Sequence, residues 1–135
     1  MRQLLIVLPA LALIAGCANT PPTESQLRAQ ARDAAKLDEA LAGYTPGKPV
    51  NCVENRDLRG PEAYGDHTLL FRASSKLIWR TDTSGSCEDV KRGDTLITHQ
   101  YNSRLCKGDI ARTANLQAGF QTGTCVIGEF VPYRK

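Results

Sequence analysis

The chain is poor in the side chains that do chemistry. Among its 135 residues there are two histidines, His67 and His99, one tryptophan, Trp79, and three phenylalanines. A general base needs a partner that holds it within hydrogen-bond reach. Neither histidine has a local context that supplies one. Read as a strand, Ile97, His99 and Tyr101 share a face, which suits a core or edge histidine. Asp66-His67 reads as a turn-to-strand junction, where Asp caps a backbone amide. No Gly-x-Ser-x-Gly elbow and no His-Glu-x-x-His helix occurs. There is no CxxC pair, which argues against a zinc site. The carboxylate pair Glu88-Asp89 lies among mixed charges and reads as solvated. These absences predict no catalytic residue, no metal and no cofactor. The charge balance is also slight, with seventeen Lys and Arg against fourteen Asp and Glu, net +3. That is too little for a nucleic-acid footprint.

Long apolar runs are absent except at the start. Arg2 is followed by an apolar stretch from Leu4 to Ile14, broken only by Pro9. It is too short for a membrane-spanning helix, which needs about 20 residues, and fits a signal-peptide core. The stretch ends in Leu13-Ile14-Ala15-Gly16-Cys17. This resembles the lipobox of bacterial lipoproteins: an aliphatic residue three before the cysteine, two small residues, then Cys. The resemblance implies a leader over residues 1–16, a diacylglycerol on the Cys17 thiol and usually an acyl chain on its freed amine. Two or three chains hold a protein firmly at a bilayer. Ala18, where the Gram-negative retention pattern has Asp, implies the periplasmic face of the outer membrane. Loss of Arg2 with the leader leaves a net charge of +2.

The remaining cysteines are Cys52, Cys87, Cys106 and Cys125. Four cysteines in an exported chain of this size read as two disulfides, for which three pairings exist. The favoured pairing is Cys52–Cys125 with Cys87–Cys106. The first joins the first and last strand-like segments, as a curled sheet would. The second anchors a Ser/Gly/Asp-rich loop.

Residues 17–49 read as a lipidated cysteine, a short polar linker and a helical spacer from Thr23 to Gly43. Thr23 and Gln26 have capping-box spacing. Leu27, Ala31, Ala34, Leu37 and Leu41 recur at helical spacing as a narrow, alanine-rich stripe, which predicts light docking or a solvated spacer. Gly43 is placed to cap the helix. Residues 50–135 read as a β-domain. Its expected strands are Val50–Leu58, His67–Ala73, Lys76–Thr81, Thr95–Tyr101, Asp109–Leu116 and Thr124–Val131, with a hairpin turn over Ala73–Lys76. The predicted fold is mainly β: a small antiparallel barrel or curved sheet of about six strands, stapled by two disulfides.

Two C-terminal segments carry a second resemblance. Leu105-Cys106-Lys107-Gly108-Asp109 and Cys125-Val126-Ile127-Gly128-Glu129-Phe130 resemble the signature of an uncharacterised family of small four-cysteine exported proteobacterial proteins. Asn51-Cys52-Val53 and Thr68-Leu69-Leu70-Phe71 fit its N-terminal half. The resemblance implies no activity. The same residues have plain structural uses in bridges, turns and core.

What remains is binding. Arg72, Lys76 and Arg80 are candidates for an anionic-ligand patch, with Lys91, Arg92 and Arg112 as outlying members. Such a patch suits lipid headgroups, lipopolysaccharide phosphates or peptidoglycan carboxylates. Trp79 and Tyr101 are candidates for stacking on sugars, although a single Trp usually belongs to the core. The expectation is an outer-membrane-anchored protein with a non-catalytic binding or structural role in the envelope. Its partners would be the membrane, through Cys17, and an anionic envelope component or envelope protein, without nucleic acid. An inhibitor of a host or competitor hydrolase is the alternative. A hydrolase using His67 or His99 is the less favoured one.

Overall fold

The computed structural model describes residues 21–100 and 102–135. The expected leader with Cys17, and Tyr101, lie outside the described residues. The chain opens with helix α1, Glu24–Ala40. Thr23 and Gln26 form the capping box reciprocally, so two free backbone donors are satisfied at once. Gly43 is left-handed, two residues beyond the cap residue Leu41. No helix residue is buried. The half-buried positions are Ala29, Asp33, Leu37, Ala40 and Leu41. The expected stripe is therefore rotated: Leu27, Ala31 and Ala34 face solvent. An ion pair from Asp33 to Lys91, at 2.5 Å, helps set that rotation.

The described strands are β1 (Thr45–Pro46), β2 (Cys52–Glu54), β3 (Glu62–Tyr64), β4 (Thr68–Ser74), β5 (Leu77–Asp82) and β6 (Ser84–Ser86), followed by β7 (Thr95–Thr98), β8 (Arg104–Cys106), β9 (Ile110–Asn115), β10 (Phe120–Val126) and β11 (Phe130–Arg134). All pairings are antiparallel. They make a five-stranded sheet in the order β1-β11-β5-β4-β3, a four-stranded sheet β6-β10-β9-β7 and a ribbon β2-β8. The fold is thus mainly antiparallel β, as expected, but it closes no barrel. The expected hairpin is the β4–β5 turn at Ser75-Lys76. The single expected strand Thr124–Val131 is two strands in different sheets, separated at Ile127-Gly128-Glu129. A Cβ on Gly128 would stand 2.0 Å from the Asp82 carbonyl oxygen, so only glycine lets the chain cross there. Thr45–Pro46, read as part of the spacer, adds an edge to the larger sheet beside β11.

The core lies between the sheets. In an antiparallel sheet, residues opposite one another in register share a face. Leu69, Phe71, Trp79, Thr81 and Phe130 line the inner face of the larger sheet; Leu96, Ala111, Thr113 and Cys125 line that of the smaller one. Val53, Leu69, Phe71, Leu105, Ala111, Cys125, Ile127 and Phe130 form one buried cluster, with Trp79 packed against it.

The disulfides correct the sequence reading. They join Cys52 to Cys106 and Cys87 to Cys125. Cys52 and Cys106 stand directly opposite in the β2–β8 ribbon, with Cα atoms 4.0 Å apart. Cys125 lies on β10 opposite Gly85 of β6, which delivers the adjoining Cys87 to it. Cys52 and Cys125 are thus in different sheets and never become neighbours.

Candidate functional site

The outer face of the five-stranded sheet alternates with its core face. By register it carries Glu62 and Tyr64 of β3, Arg72 of β4, Arg80 and Asp82 of β5, and Tyr133 of β11. Leu70 and Ile78 share this face and are fully buried. Helix α1 contacts β3 along its edge.

The sequence assigned an anionic patch to Arg72, Lys76 and Arg80. Arg72 and Arg80 do stand on this face, but each has a carboxylate of its own. Arg72 Nε donates to Glu62 Oε1 at 2.8 Å and Nη2 to Oε2 at 3.3 Å. Tyr64 Oη donates to the same carboxylate at 2.8 Å. The Arg72 hydrogen bonds outweigh partial burial and hold the Glu62 pKa below the usual carboxylate range. Burial first, and the Glu62 carboxylate second, push the Tyr64 phenol up. Arg80 pairs with Asp82 at 3.1 Å. Burial opposes its charge, and Asp82 with the Tyr133 hydroxyl outweighs that, so its pKa is raised. Lys76 sits exposed in the hairpin turn, where its carbonyl accepts the Lys135 N–H.

Around Arg72 the fold collects residues that the sequence did not connect. An open cleft of about 490 Å³ lies between the helix end and the sheet, lined by Lys36, Glu39, Tyr44, Tyr64, Arg72 and Lys135. Tyr44 Oη donates to the Ser75 carbonyl at 2.9 Å, tying the helix exit to the β4–β5 hairpin. The Lys135 ammonium lies 4.3 Å from the centre of the Tyr44 ring, a cation–π contact. Among the described residues, Lys36 and Lys135 make no ion pair. With Arg72 and Glu62 set aside as a pair, two cations from the helix and the C-terminus, Lys36 and Lys135, face one carboxylate, Glu39. Such a cleft suits an oxyanion.

The outlying cations disperse. Lys91 pairs with Asp33, Arg92 with Asp89, and Arg112 stands on the outer face of the other sheet. Asp89 also corrects the sequence reading, because it is buried rather than solvated and accepts from Thr113 Oγ1 at 3.5 Å. Trp79 packs against the core cluster.

Both histidines are exposed and lie apart in the fold. His67 borders a second cleft of about 280 Å³ with Asp33, Tyr64, Asp66 and Thr68. Its Nδ1 is 3.2 Å from the Gly85 carbonyl, which only accepts, so Nδ1 carries the proton in that bond and Nε2 is left free. Among the described residues, neither imidazole ring hydrogen-bonds to a carboxylate or hydroxyl; the Thr83 hydroxyl donates to the His67 backbone carbonyl instead, at 3.1 Å. Among those residues, too, no group of three His, Cys, Asp or Glu side chains converges as metal ligands, and no helix is long and apolar enough to cross a membrane.

The two C-terminal motifs meet in space. Asp109 Oδ2 accepts the Cys106 N–H at 2.7 Å across the left-handed Gly108. The Gly108 N–H then donates to the Ile127 carbonyl, and the Ile127 N–H to that of Asp109. The motifs therefore clasp the ribbon to the end of β10. The chain belongs to the DUF6491 family of unknown function. The family's model matches residues 1–134. The match brings no activity to transfer, and the clasp gives these residues a structural role. No curated protein and no solved structure matches the chain.

Proposed function

We propose that the protein is a lipoprotein of the bacterial cell envelope, anchored to the outer membrane through Cys17, with a non-catalytic role: it binds an anionic envelope component in the cleft beside α1. Two disulfides support an oxidising, exported location. The observation that carries the binding role is the convergence of Lys36, Arg72 and Lys135 on one cleft. In this site Lys36 and Lys135 contact the anion. Arg72, held by Glu62, is compensated in charge and offers its remaining guanidinium N–H donors beside them. Lys76 extends the basic rim.

The test is a titration with inorganic pyrophosphate and with carboxylate-bearing peptidoglycan fragments at low and moderate salt. Combined Lys36→Glu and Lys135→Glu should abolish a binding that also weakens as salt rises. His67→Ala and His99→Ala should leave it intact. Loss in a well-folded histidine variant, with binding kept after charge reversal, would move the binding site to that histidine and overturn this reading. Mass spectrometry of the N-terminal peptide tests the anchor: acyl chains should sit on Cys17, and Cys17→Ala should release the protein from the membrane.

A further inference from the structure

The smaller sheet has a different chemistry. Strands β6, β7, β9 and β10 contain one charged residue, Arg112, in a chain that is 23% charged. From Thr113 to Gly128 there is no charge at all. The outer face exposes Ile97, Ile110 and Val126, and exposure peaks at the end of the β9–β10 hairpin. There Leu116 is 68% and Phe120 58% exposed. By register Phe120 opposes Asn115 on the inner face, yet it is open to solvent, so the hairpin end extends past the opposing sheet.

The turn satisfies two of its own amides. Asn115 accepts twice: its carbonyl takes the Gly119 N–H at 2.8 Å, and its Oδ1 takes the Ala118 N–H at 2.9 Å. Backbone donors satisfied within the turn lose little when water is removed, which is the main cost of placing loop backbone in lipid. Two large apolar side chains, no charge and two amides satisfied within the turn are together the chemistry of a lipid-contacting tip. Arg112 lies four residues behind Leu116, about 14 Å along an extended strand. A hairpin entering a bilayer end-on would place that cation at the level of the headgroup phosphates.

We propose that the β9–β10 hairpin inserts Leu116 and Phe120 into a lipid surface. A second copy of the chain is the less suitable occupant. Four strands at about 4.8 Å spacing, each some five residues long, make a platform of only roughly 300 Å² in plan, small for a stable complex, which covers about 20–30 residues a side. A protein-binding face also concentrates its anchors at the centre, whereas here exposure is greatest at the projecting end.

This inference does not depend on the Cys17 anchor, and its test removes the anchor. Residues 17–135 with Cys17→Ala, which contain every described element, are sedimented with vesicles of phosphatidylcholine alone and of phosphatidylcholine with phosphatidylglycerol. Binding to both is expected, tighter to the anionic vesicles. Combined Leu116→Ser and Phe120→Ser should lower partitioning roughly tenfold or more on both. Val126→Ser, on the same sheet but away from the tip, should change it little. Both altered tip positions are exposed, so the fold should persist, and thermal melts check it. No binding by the parent protein, equal binding by the double variant, or a dimer in ultracentrifugation that the double variant splits would each overturn the proposal.

Discussion

The two sheets share one core but treat their outer faces in opposite ways. The five-stranded sheet is charged, and its charges are paired in place: Arg72 with Glu62, Arg80 with Asp82. Its outer face also buries Leu70 and Ile78. The four-stranded sheet is nearly uncharged, and its outer face leaves Ile97, Ile110 and Val126 open. An apolar residue on a strand is therefore no guide by itself to burial. What differs is the surroundings: Glu62 and Arg80 flank Leu70 in register, and Arg72 and Tyr133 flank Ile78. The closed face brings cations from three parts of the chain to a cleft, while the open one leaves a bare, neutral surface.

The largest expected effect tests what joins the sheets to the core. Both disulfides close loops of similar size, with separations of 54 and 38 residues. Chain entropy alone gives about 4 kcal/mol for each. Cys87 and Cys125 are also buried in the core cluster, whereas Cys52 and Cys106 are half-buried. Replacing the Cys87–Cys125 pair by alanines should therefore cost more than replacing Cys52–Cys106, as read by urea melts of the two double variants. Equal losses would mean that the buried bridge contributes no packing of its own.

Next in size is the direct comparison of outer faces. Leu70→Ala should cost about 2–5 kcal/mol, the range for a fully buried leucine. Ile110→Ala, with the side chain 54% exposed, should cost less than about 0.5 kcal/mol. Comparable losses in denaturant melts would break the contrast between a closed and an open face. Gly128→Ala should fall between them, at about 1–3 kcal/mol, because the new methyl must displace the Asp82 carbonyl.

The smallest effect is one of pH. Arg72 holds the folded Glu62 pKa below its unfolded value. The stabilisation is thus present above the unfolded pKa and is lost as pH falls through the folded one. The pair is partly exposed, so solvent screening keeps it under about 1 kcal/mol. Glu62→Gln should lower stability by that amount at neutral pH and by less as pH falls, so that variant and parent converge below the folded Glu62 pKa. An unchanged acid limb would show that the pair adds nothing to folding.

Local features of this molecule were legible, and features of long range were not. The Thr23–Gln26 box, the long strands β4, β5 and β9 and the hairpin at Ser75-Lys76 all follow from neighbouring residues. Strands β1, β3, β6 and β8 are two or three residues long, too short for any period to register. The disulfide pairing failed because it depends on which sheet each cysteine joins, and the break at Gly128 that sends β10 and β11 to different sheets is set by a close backbone approach. The helix stripe was misplaced because Asp33 turns inward to meet Lys91, a partner 58 residues away. Arg72 was recognisable as a candidate from its place on a strand. Lys36, Tyr44, Tyr64 and Lys135 were not, since only the fold brings them to one cleft.

The proposed division of labour takes anions beside the helix and meets lipid with the β9–β10 hairpin. Amide chemical-shift mapping of the residue 17–135 protein, once with inorganic pyrophosphate and once with lipid nanodiscs, tests it most directly. Pyrophosphate should move the amides around Lys36, Tyr64, Arg72 and Lys135 and leave those from Asn115 to Phe120 in place, while the nanodiscs should do the reverse. One common set of residues responding to both, or a pyrophosphate response centred on the four-stranded sheet, would contradict it.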